Sequence, residues 1–171
     1  YVKGGETFLD SAEIKEGSFR FNGSVPVPIR AYLLVMHYGE DVYESEQPDV
    51  LEFYLEKGAI RISTTDSIAK ATVEGKALNQ AYNNYRSSID PARKKIQALM
   101  ARYQAADDTQ KSDPSFVLEL QNEAMEIQKE ERASTLAFIK DNNQSFVSLE
   151  LLFALLDTEP IADVIEPLFQ N

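Results

Sequence analysis

The sequence predicts an α+β protein in which antiparallel strands come first and helices follow. Before Gly75, short segments alternate apolar and polar residues and are separated by turn residues, which is the pattern of half-buried strands. After Gly75, apolar residues recur every three or four positions over long segments, which is the pattern of amphipathic helices. The change occurs once, so we expect an antiparallel β subdomain over residues 1–75 and an α-helical subdomain over residues 76–171, packed together as one module.

Short strands are expected in the first subdomain over residues 7–14, 18–23, 31–38, 49–56, 59–64 and 70–75. The clearest alternation lies in the fourth of them, where Leu51, Phe53 and Leu55 point to one face and the residues between them to the other. Gly17 falls between the first two strands, where glycine adopts the conformation of a tight turn without steric cost. Strands of this number and length suggest a small β-sandwich or an open barrel.

A helical hairpin is expected at the start of the second subdomain. Apolar residues there alternate spacings of four and three, and they are Leu78, Tyr82, Tyr85, Ile89, Ala92, Ile96, Leu99 and Tyr103. This 3.5-residue seam is typical of a helix that packs along another helix. Asp90 and Pro91 could begin a new helix or kink one long helix, and the constant spacing across them favours a kinked, nearly continuous helix.

Further helices are expected toward the C-terminus. Asp113 and Pro114 form a helix start after a loop at 107–114, and the helix is predicted to run to residue 141. Residues 145–156 are apolar on nearly every side, which predicts a buried helix. A last amphipathic segment follows, and its apolar residues are Ile161, Val164, Ile165 and Leu168.

Composition excludes several classes of function. The 171-residue chain has a formal net charge of −11 with an acidic excess in both halves, so neither nucleic acid nor an anionic membrane is an expected partner. It has no cysteine, which removes thiolate nucleophiles, disulfides and cysteine-ligated metal sites. No apolar run approaches the ~18–20 residues that a membrane span needs, and no signal peptide is visible. Because residue 1 is Tyr1, we expect a fragment or a processed form whose original N-terminus lies upstream.

No group of residues spells out a chemistry, so no catalytic, cofactor-binding or metal-ligating residue is predicted. His37 is the only histidine and is expected to be a packed or surface residue. The acidic loop 39–48 lacks the pattern of a calcium loop and is expected to be solvated. Glu52 and Glu56 share a face of a predicted strand but lie roughly 13 Å apart by strand rise, farther than the ~5–9.5 Å of paired glycosidase carboxylates. Both are therefore expected to face solvent.

Three tyrosines form the candidate ligand or interaction surface, and they are Tyr82, Tyr85 and Tyr103. At helical spacing they could line a groove between helices, although aromatic residues with this spacing more often fill a core. The seam over 78–103 would also suit association into a homodimer. One hypothesis is therefore a binding module for a peptide, lipid or glycan, and another is a structural interaction protein.

Several weak motifs follow one another in a specific order: a strand–Glu-Lys-Gly–strand hairpin, then valine and glycine before a helix, then Asn-x-x-Tyr on that helix. They fall on Glu56, Lys57, Gly58, Val73, Gly75, Asn79 and Tyr82. An earlier run fits as well, at Asp10, Ser11, Ala12, Gly17, Phe19, Phe21 and Gly23. In this order they resemble an uncharacterised N-terminal domain that precedes the thioredoxin-like domain in exported Bacteroidetes proteins of the AhpC/TSA class.

The resemblance implies that a thioredoxin-like domain with a C-x-x-C pair follows this chain, and that a lipoprotein or secretory signal precedes it. One thiolate of such a pair attacks a disulfide and the other resolves it, so a chain without cysteine cannot perform this step. The resemblance therefore implies a non-catalytic accessory module without a cofactor, in the periplasm or cell envelope. Its expected partner is the downstream domain, which it would position or restrict, or a second copy in a dimer. A membrane contact is expected only through an upstream lipid anchor.

Overall fold

The computed structural model describes residues 2–3, 6–7, 9–36 and 49–156. It confirms the predicted α+β class, because antiparallel strands occupy the first part of the chain and helices the second. The chain divides into two compact units, Tyr1–Gln80 and Ala81–Asn171, whereas the sequence predicts the boundary at Gly75.

In the described residues the strands pair two by two. The pairs are β1 (Val2–Lys3) with β2 (Glu6–Thr7), β3 (Ile29–Leu34) with β4 (Val50–Leu55), and β5 (Arg61–Ser63) with β6 (Thr72–Glu74). All three pairs are antiparallel, and a short 3₁₀-helix, Ile68–Lys70, lies between β5 and β6. The last four predicted strands are therefore confirmed, with bounds that differ by a few residues.

The apolar core of the first unit lies on one face of the β3–β4 pair. Its buried side chains come from this pair, the 3₁₀-helix and β6, and they are Ala31, Leu51, Phe53, Ile68, Ala71 and Val73. Because successive side chains of a strand point to opposite faces, Arg30, Tyr32 and Glu52 lie on the other face. The alternation predicted for β4 is thus the one that builds this core.

The first two predicted strands are wrong over residues 9–23. Between residues 9 and 28 the structure has one isolated antiparallel bridge, Lys15 with Ser18, around Glu16 and Gly17. Both turn residues have positive φ, 50° and 73°, as a two-residue hairpin turn of the primed type requires. The ladder stops at one bridge because the neighbouring side chains gain little by extending it, and Leu9, for example, stays largely exposed.

Four α-helices follow in the described residues: α1 (Ala77–Ala105), α2 (Asp108–Lys111), α3 (Pro114–Asp141) and α4 (Phe146–Leu156). Helix α1 runs through Pro91, so the predicted near-continuity is confirmed. Helix α3 begins where the sequence predicts, and the Asp113 carboxylate accepts a hydrogen bond from the amide of Ser115 at 2.8 Å. Helix α2 occupies part of the predicted loop, because Asp107 and Gln110 form a reciprocal capping box.

Helices α1 and α3 pack antiparallel through the predicted seam. Their shared core consists of Ala92 and Leu99 from α1 with Leu120 and Ile127 from α3. Ion pairs flank it, and they join Lys95 to Glu130, and Arg102 to Glu119 and Glu123. These side chains are largely exposed, so the pairs contribute little stability and the apolar seam holds the two helices together.

The composition of α4 predicts a helix that is buried on all sides. In the structure, α4 is buried on one face only. Its buried residues are Val147, Ser148, Leu151 and Leu152, and the helix packs on α3. The opposite face exposes large apolar side chains, which form what we call the α4 stripe: Phe146, Leu149, Phe153 and Leu156. No helix among the described residues is both long and apolar enough to span a membrane.

Candidate functional site

The end of strand β4 is joined to the start of helix α1 by a carboxylate. One oxygen of Glu56 accepts hydrogen bonds from the backbone amides of Lys76, at 2.8 Å, and Asn79, at 3.2 Å. The same oxygen accepts a third bond, at 2.8 Å, from the side-chain amide of Asn79. The first amides of a helix lack partners within the helix, and a carboxylate there also complements the helix dipole. Glu56 therefore caps α1 from a position 20 residues earlier in the chain.

Asn79 binds the strand as well as the carboxylate. Its side-chain oxygen accepts a hydrogen bond from the amide of Tyr54 at 3.0 Å, and its side-chain nitrogen donates to the Tyr54 carbonyl at 2.8 Å. Both backbone groups of Tyr54 thus point away from β3, so its pairing with Arg30 is of the non-hydrogen-bonded kind. The asparagine takes the place of a neighbouring strand at this residue. It is 1% exposed, and Tyr54 is 0% exposed.

Gly75 leaves the space that this arrangement needs. A Cβ atom built on it would lie 2.8 Å from the Asn79 side chain and 2.8 Å from the Glu56 carboxylate. Such distances are too short for van der Waals contact, so any other residue would push the two side chains apart. We call Tyr54, Glu56, Gly75, Lys76 and Asn79 together the β4–α1 joint.

A second carboxylate performs the same task at the other end of β4. Asp49 precedes the strand, and its two oxygens accept hydrogen bonds from the Ser67 hydroxyl at 2.6 Å and from the amides of Ile68 at 2.9 Å and Ala69 at 2.8 Å. These donors form the first turn of the 3₁₀-helix. Strand β4 is therefore bracketed by two carboxylates, each of which fixes the beginning of a helical element that comes later in the chain.

The polar side chains on the outer face of the β3–β4 pair bind one another. Arg30 forms an ion pair with Glu52 at 3.0 Å, and its guanidinium carbon lies 5.9 Å from the centre of the Tyr54 ring. The Tyr32 hydroxyl donates to the same Glu52 carboxylate at 3.4 Å. The cross-strand register explains the grouping, because Arg30 faces Tyr54 and Tyr32 faces Glu52.

Neither glutamate singled out in the sequence is a free carboxylate. Glu52 is half-buried in its ion pair, and Glu56 is half-buried in the joint, so the expectation that both face solvent is wrong. One signal could have indicated the role of Glu56. The residue before α1 is Lys76, whose side chain cannot accept a hydrogen bond, and a helix without its own cap calls for one from elsewhere in the fold.

The structure brings two of the three candidate tyrosines together. The rings of Tyr82 and Tyr85 lie 6.2 Å apart, and the Tyr85 ring lies 5.3 Å from that of Phe138. The Tyr85 hydroxyl and that of Thr135 are 3.4 Å apart, and Tyr82 is buried. Tyr103 lies farther along α1, about 27 Å from Tyr85 by helical rise, and is 47% exposed. Tyr85 thus packs between α1 and α3, Tyr82 is buried beside it, and Tyr103 lies apart from both.

The pKa of Lys70 is perturbed by a neighbouring carboxylate. The ammonium of Lys70 donates to the Asp66 carboxylate at 2.7 Å, and this hydrogen bond, reinforced by the charge of Asp66, raises the pKa of the lysine. The pair is largely exposed to solvent, on the 3₁₀-helix and the turn before it. No three histidine, aspartate or glutamate side chains of the described residues converge as metal ligands. His37 and the acidic loop 39–48 lie outside the described residues.

No curated protein and no solved structure matches this chain. A family model does match its first part, over a range that contains the whole β4–α1 joint and ends within α1. The matched range covers the first compact unit, Tyr1–Gln80, and leaves most of the helical part of the chain outside it. Residues 1–82 are therefore similar to the uncharacterised family described as "Domain of unknown function (DUF4369)".

Proposed function

We propose that this chain is a non-catalytic accessory module of an exported thioredoxin-like thiol–disulfide oxidoreductase. In this proposal it positions the redox domain that follows it, or restricts which substrates reach that domain. The observation that supports the proposal is that the carboxylates around β4 bind other groups of the protein. Asp49 and Glu56 each accept three hydrogen bonds from the protein, and Glu52 is paired with Arg30. Groups that an acid–base mechanism would use are here employed in holding the fold.

Because this chain has no cysteine, the proposal assigns disulfide exchange to the following domain and positioning to this module. Disulfide exchange needs a thiolate, and this chain has none to offer. The reactive pair would belong to the domain that follows, and this module would act through geometry alone. An accessory part that acts by geometry must hold its shape, and the joint supplies this by fixing the first turn of α1 to β4.

The test compares two forms of the enzyme. The sequence encoded beyond Asn171 is read first, and it must contain a thioredoxin-like domain with C-x-x-C. The full polypeptide and the redox domain alone are then assayed for reduction of insulin and of several folded disulfide proteins. We expect different rates or a narrower substrate range for the full polypeptide. Adding the module as a separate protein is the control, because positioning requires covalent linkage. Equal rates and ranges for the two forms would refute the proposal.

A second candidate function is a cell-envelope binding module for an extended peptide. It is favoured by the outer edge of β3. Because the Tyr54 backbone points away from β3, the register directs the backbone groups of the residues opposite, including Tyr32 and Leu34, away from β4. No described strand pairs with this edge, and the side chains of Tyr32, Leu34 and Met36 are exposed on one face. A peptide could add there as a further strand.

Peptide binding would be measured by NMR with a set of extended apolar peptides. We expect chemical-shift changes in the amides of Tyr32 and Leu34, and their loss when Leu34→Asp places a charge beside the edge. The matched control is Leu118→Asp, at an exposed position of α3. No shift at millimolar peptide, or shifts that Leu34→Asp leaves unchanged, would refute this second function.

A homodimer is a third proposal, and it would have to use apolar residues of α1 that α3 leaves exposed. The seam residues Ala92 and Leu99 are buried against α3 within the same chain. Tyr103 and Met100 stay exposed at the end of α1 and are the apolar residues of that helix left for such a contact. Light scattering over a hundredfold range of concentration would detect the dimer, and a constant monomer mass would refute it.

A further inference from the structure

Asn22 and Gly23 form the only asparagine–glycine pair in the chain. They lie between residues 9 and 28, where the described structure has a single bridge, Lys15 with Ser18, and neither a strand nor a helix. Both residues are exposed, and no atom lies within 4 Å of a Cβ built on Gly23. The backbone of Gly23 is therefore free of packing from other segments.

Hydrogen bonds do not hold this part of the backbone in place. The structure gives the Gly23 amide no acceptor and the Asn22 side chain no partner among the described residues. A strand over residues 18–23, which the alternation predicts, would engage backbone groups here in a ladder and fix their dihedral angles. Because the ladder does not form, both groups keep their rotational freedom, and glycine has the widest range of backbone conformations.

This freedom lets the Gly23 nitrogen reach the side-chain carbonyl carbon of Asn22, a residue type that is thermolabile. The nitrogen attacks Cγ and gives up its proton to solvent, so an N–Cγ bond forms. The Cγ–Nδ2 bond breaks, and the side-chain nitrogen takes up a proton and leaves as ammonia. The product is a succinimide. One water molecule then adds to either carbonyl of the ring and opens it, which leaves aspartate or isoaspartate at position 22.

Asparagines in the helices are protected from this reaction. The amide that follows Asn79 belongs to Gln80 and donates to the Lys76 carbonyl at 3.0 Å, so its nitrogen cannot turn toward the side chain. The same protection applies within α1 and α3, where each amide is bonded along the helix. The residues concerned are Asn83, Asn84 and Asn122.

Two asparagines in the turn after α3 are also less reactive than Asn22. The side chain of Asn142 donates a hydrogen bond to the Phe138 carbonyl at 2.9 Å, which holds its amide group away from the next residue. Asn143 is followed by Gln144, whose side chain crowds the attacking nitrogen and narrows the backbone conformations that it can adopt. Asn22 thus differs from both in the residue after it and in its lack of a partner.

We propose that Asn22 is a modification site, at which spontaneous deamidation yields aspartate and isoaspartate in the folded protein. Either product adds one negative charge to the formal net charge of −11. Isoaspartate also carries the main chain through its side-chain carbon, so the segment loses the regular alternation that a strand requires. The inference rests on residues 22 and 23 and does not depend on the proposed function.

The test incubates the folded chain in warm, mildly alkaline buffer and follows each asparagine by peptide mapping with mass spectrometry. Isoaspartate is detected separately, by labelling with an L-isoaspartyl methyltransferase. We expect the peptide with Asn22 to convert from amide to acid and to take up the label. Peptides with Asn84 and Asn143 should convert about tenfold more slowly or less, a difference of about 1.4 kcal/mol in the barrier. Equal conversion of the three peptides, or no conversion of Asn22, would overturn the proposal.

A pair of variants tests the role of the glycine. Gly23→Ala should slow conversion of Asn22 by about tenfold, again about 1.4 kcal/mol in the barrier, because its Cβ crowds the attacking nitrogen. Ser24→Ala is the matched control, one residue further along the same exposed segment, and should leave the rate unchanged. An equal effect of the two substitutions would contradict the proposed ring closure.

Unfolding in urea tests the role of the structure without any substitution. We expect conversion of Asn22 to proceed at nearly the same rate in urea as in the folded chain, because its backbone is already unrestrained. Conversion of Asn84 should accelerate, because unfolding releases the helical amide that follows it. A tenfold or greater acceleration at Asn22 would show that the folded chain protects it, and the proposal would then be wrong.

Discussion

Replacing Asn79 with alanine tests whether the β4–α1 joint holds the first unit together. The substitution removes one short side chain that is 1% exposed and makes three hydrogen bonds. Two of these bonds satisfy the backbone of Tyr54, which is 0% exposed, so water cannot easily replace them. The third holds the Glu56 carboxylate in position over the start of α1.

The expected loss can be worked out from these contacts. Each hydrogen bond contributes about 0.5–1.5 kcal/mol net, so the three together contribute about 3 kcal/mol. Alanine returns about 0.6 kcal/mol of that through its higher helix propensity. Leaving the Tyr54 amide and carbonyl buried without partners adds a further penalty of about 1 kcal/mol or more. We therefore expect the free energy of unfolding to fall by about 3 kcal/mol, a large share of the ~5–15 kcal/mol typical of native proteins.

The assay is thermal and urea unfolding followed by circular dichroism, with amide hydrogen exchange at Tyr54 as the local readout. A loss of about 3 kcal/mol lowers Tm by about 6–12 °C in a chain of this size. The control is Asn84→Ala, at an exposed position of the same helix, where we expect a change within about 0.5 kcal/mol. If Asn79→Ala unfolded within 0.5 kcal/mol of the parent and left Tyr54 exchange unchanged, the joint would not be a stabilising element.

Three other changes test separate features of the fold. Gly75→Ala would place a Cβ 2.8 Å from atoms of the β4–α1 joint, so we expect a loss of about 1–3 kcal/mol in urea unfolding, whereas Gly23→Ala, with no atom within 4 Å of its Cβ, should change stability by less than about 0.5 kcal/mol. Ser148→Ala removes a hydroxyl that is buried at 2% exposure and has no hydrogen-bond partner among the described residues, so we expect Tm to rise and the free energy of unfolding to increase by about 1 kcal/mol. A decrease would show that the hydroxyl is satisfied. Asp66→Asn removes the acceptor that raises the pKa of Lys70, so NMR titration should show that pKa falling toward its ordinary value. Because the folded pKa is the raised one, the contribution of this pair is present at neutral pH and is lost as the pH rises through the folded pKa; an unchanged titration in Asp66→Asn would refute the assignment.

Sequence reasoning succeeded where neighbours in the chain decide the structure. The start of α3 was predictable because Asp113 caps the amides directly after it. The passage of α1 through Pro91 was predictable because the apolar spacing keeps its phase on both sides of the proline. The inward face of β4 was predictable from its own alternation, which needs no knowledge of the partner strand.

Sequence reasoning failed where contacts between residues far apart in the chain determine the structure. Strands over 7–14 and 18–23 have the right alternation, but alternation alone forms no ladder when few side chains are buried by it. Glu56 looked like a solvent-facing carboxylate, and its role emerges only when α1 begins beside it, 20 residues later. Helix α4 looked buried on all sides, since composition reports how apolar a face is and not what covers it.

By itself, the sequence determined the order of elements, the α+β class and the lack of any thiol, because periodicity and composition are local properties of the chain. The tertiary structure alone decided what the polar residues do. Asp49, Glu56 and Asn79 could each have faced water, and folding instead places them where unpaired backbone groups of other segments need a partner. The physical reason is that a buried amide or carbonyl must find a partner somewhere, and only the packed chain determines which side chain is within reach.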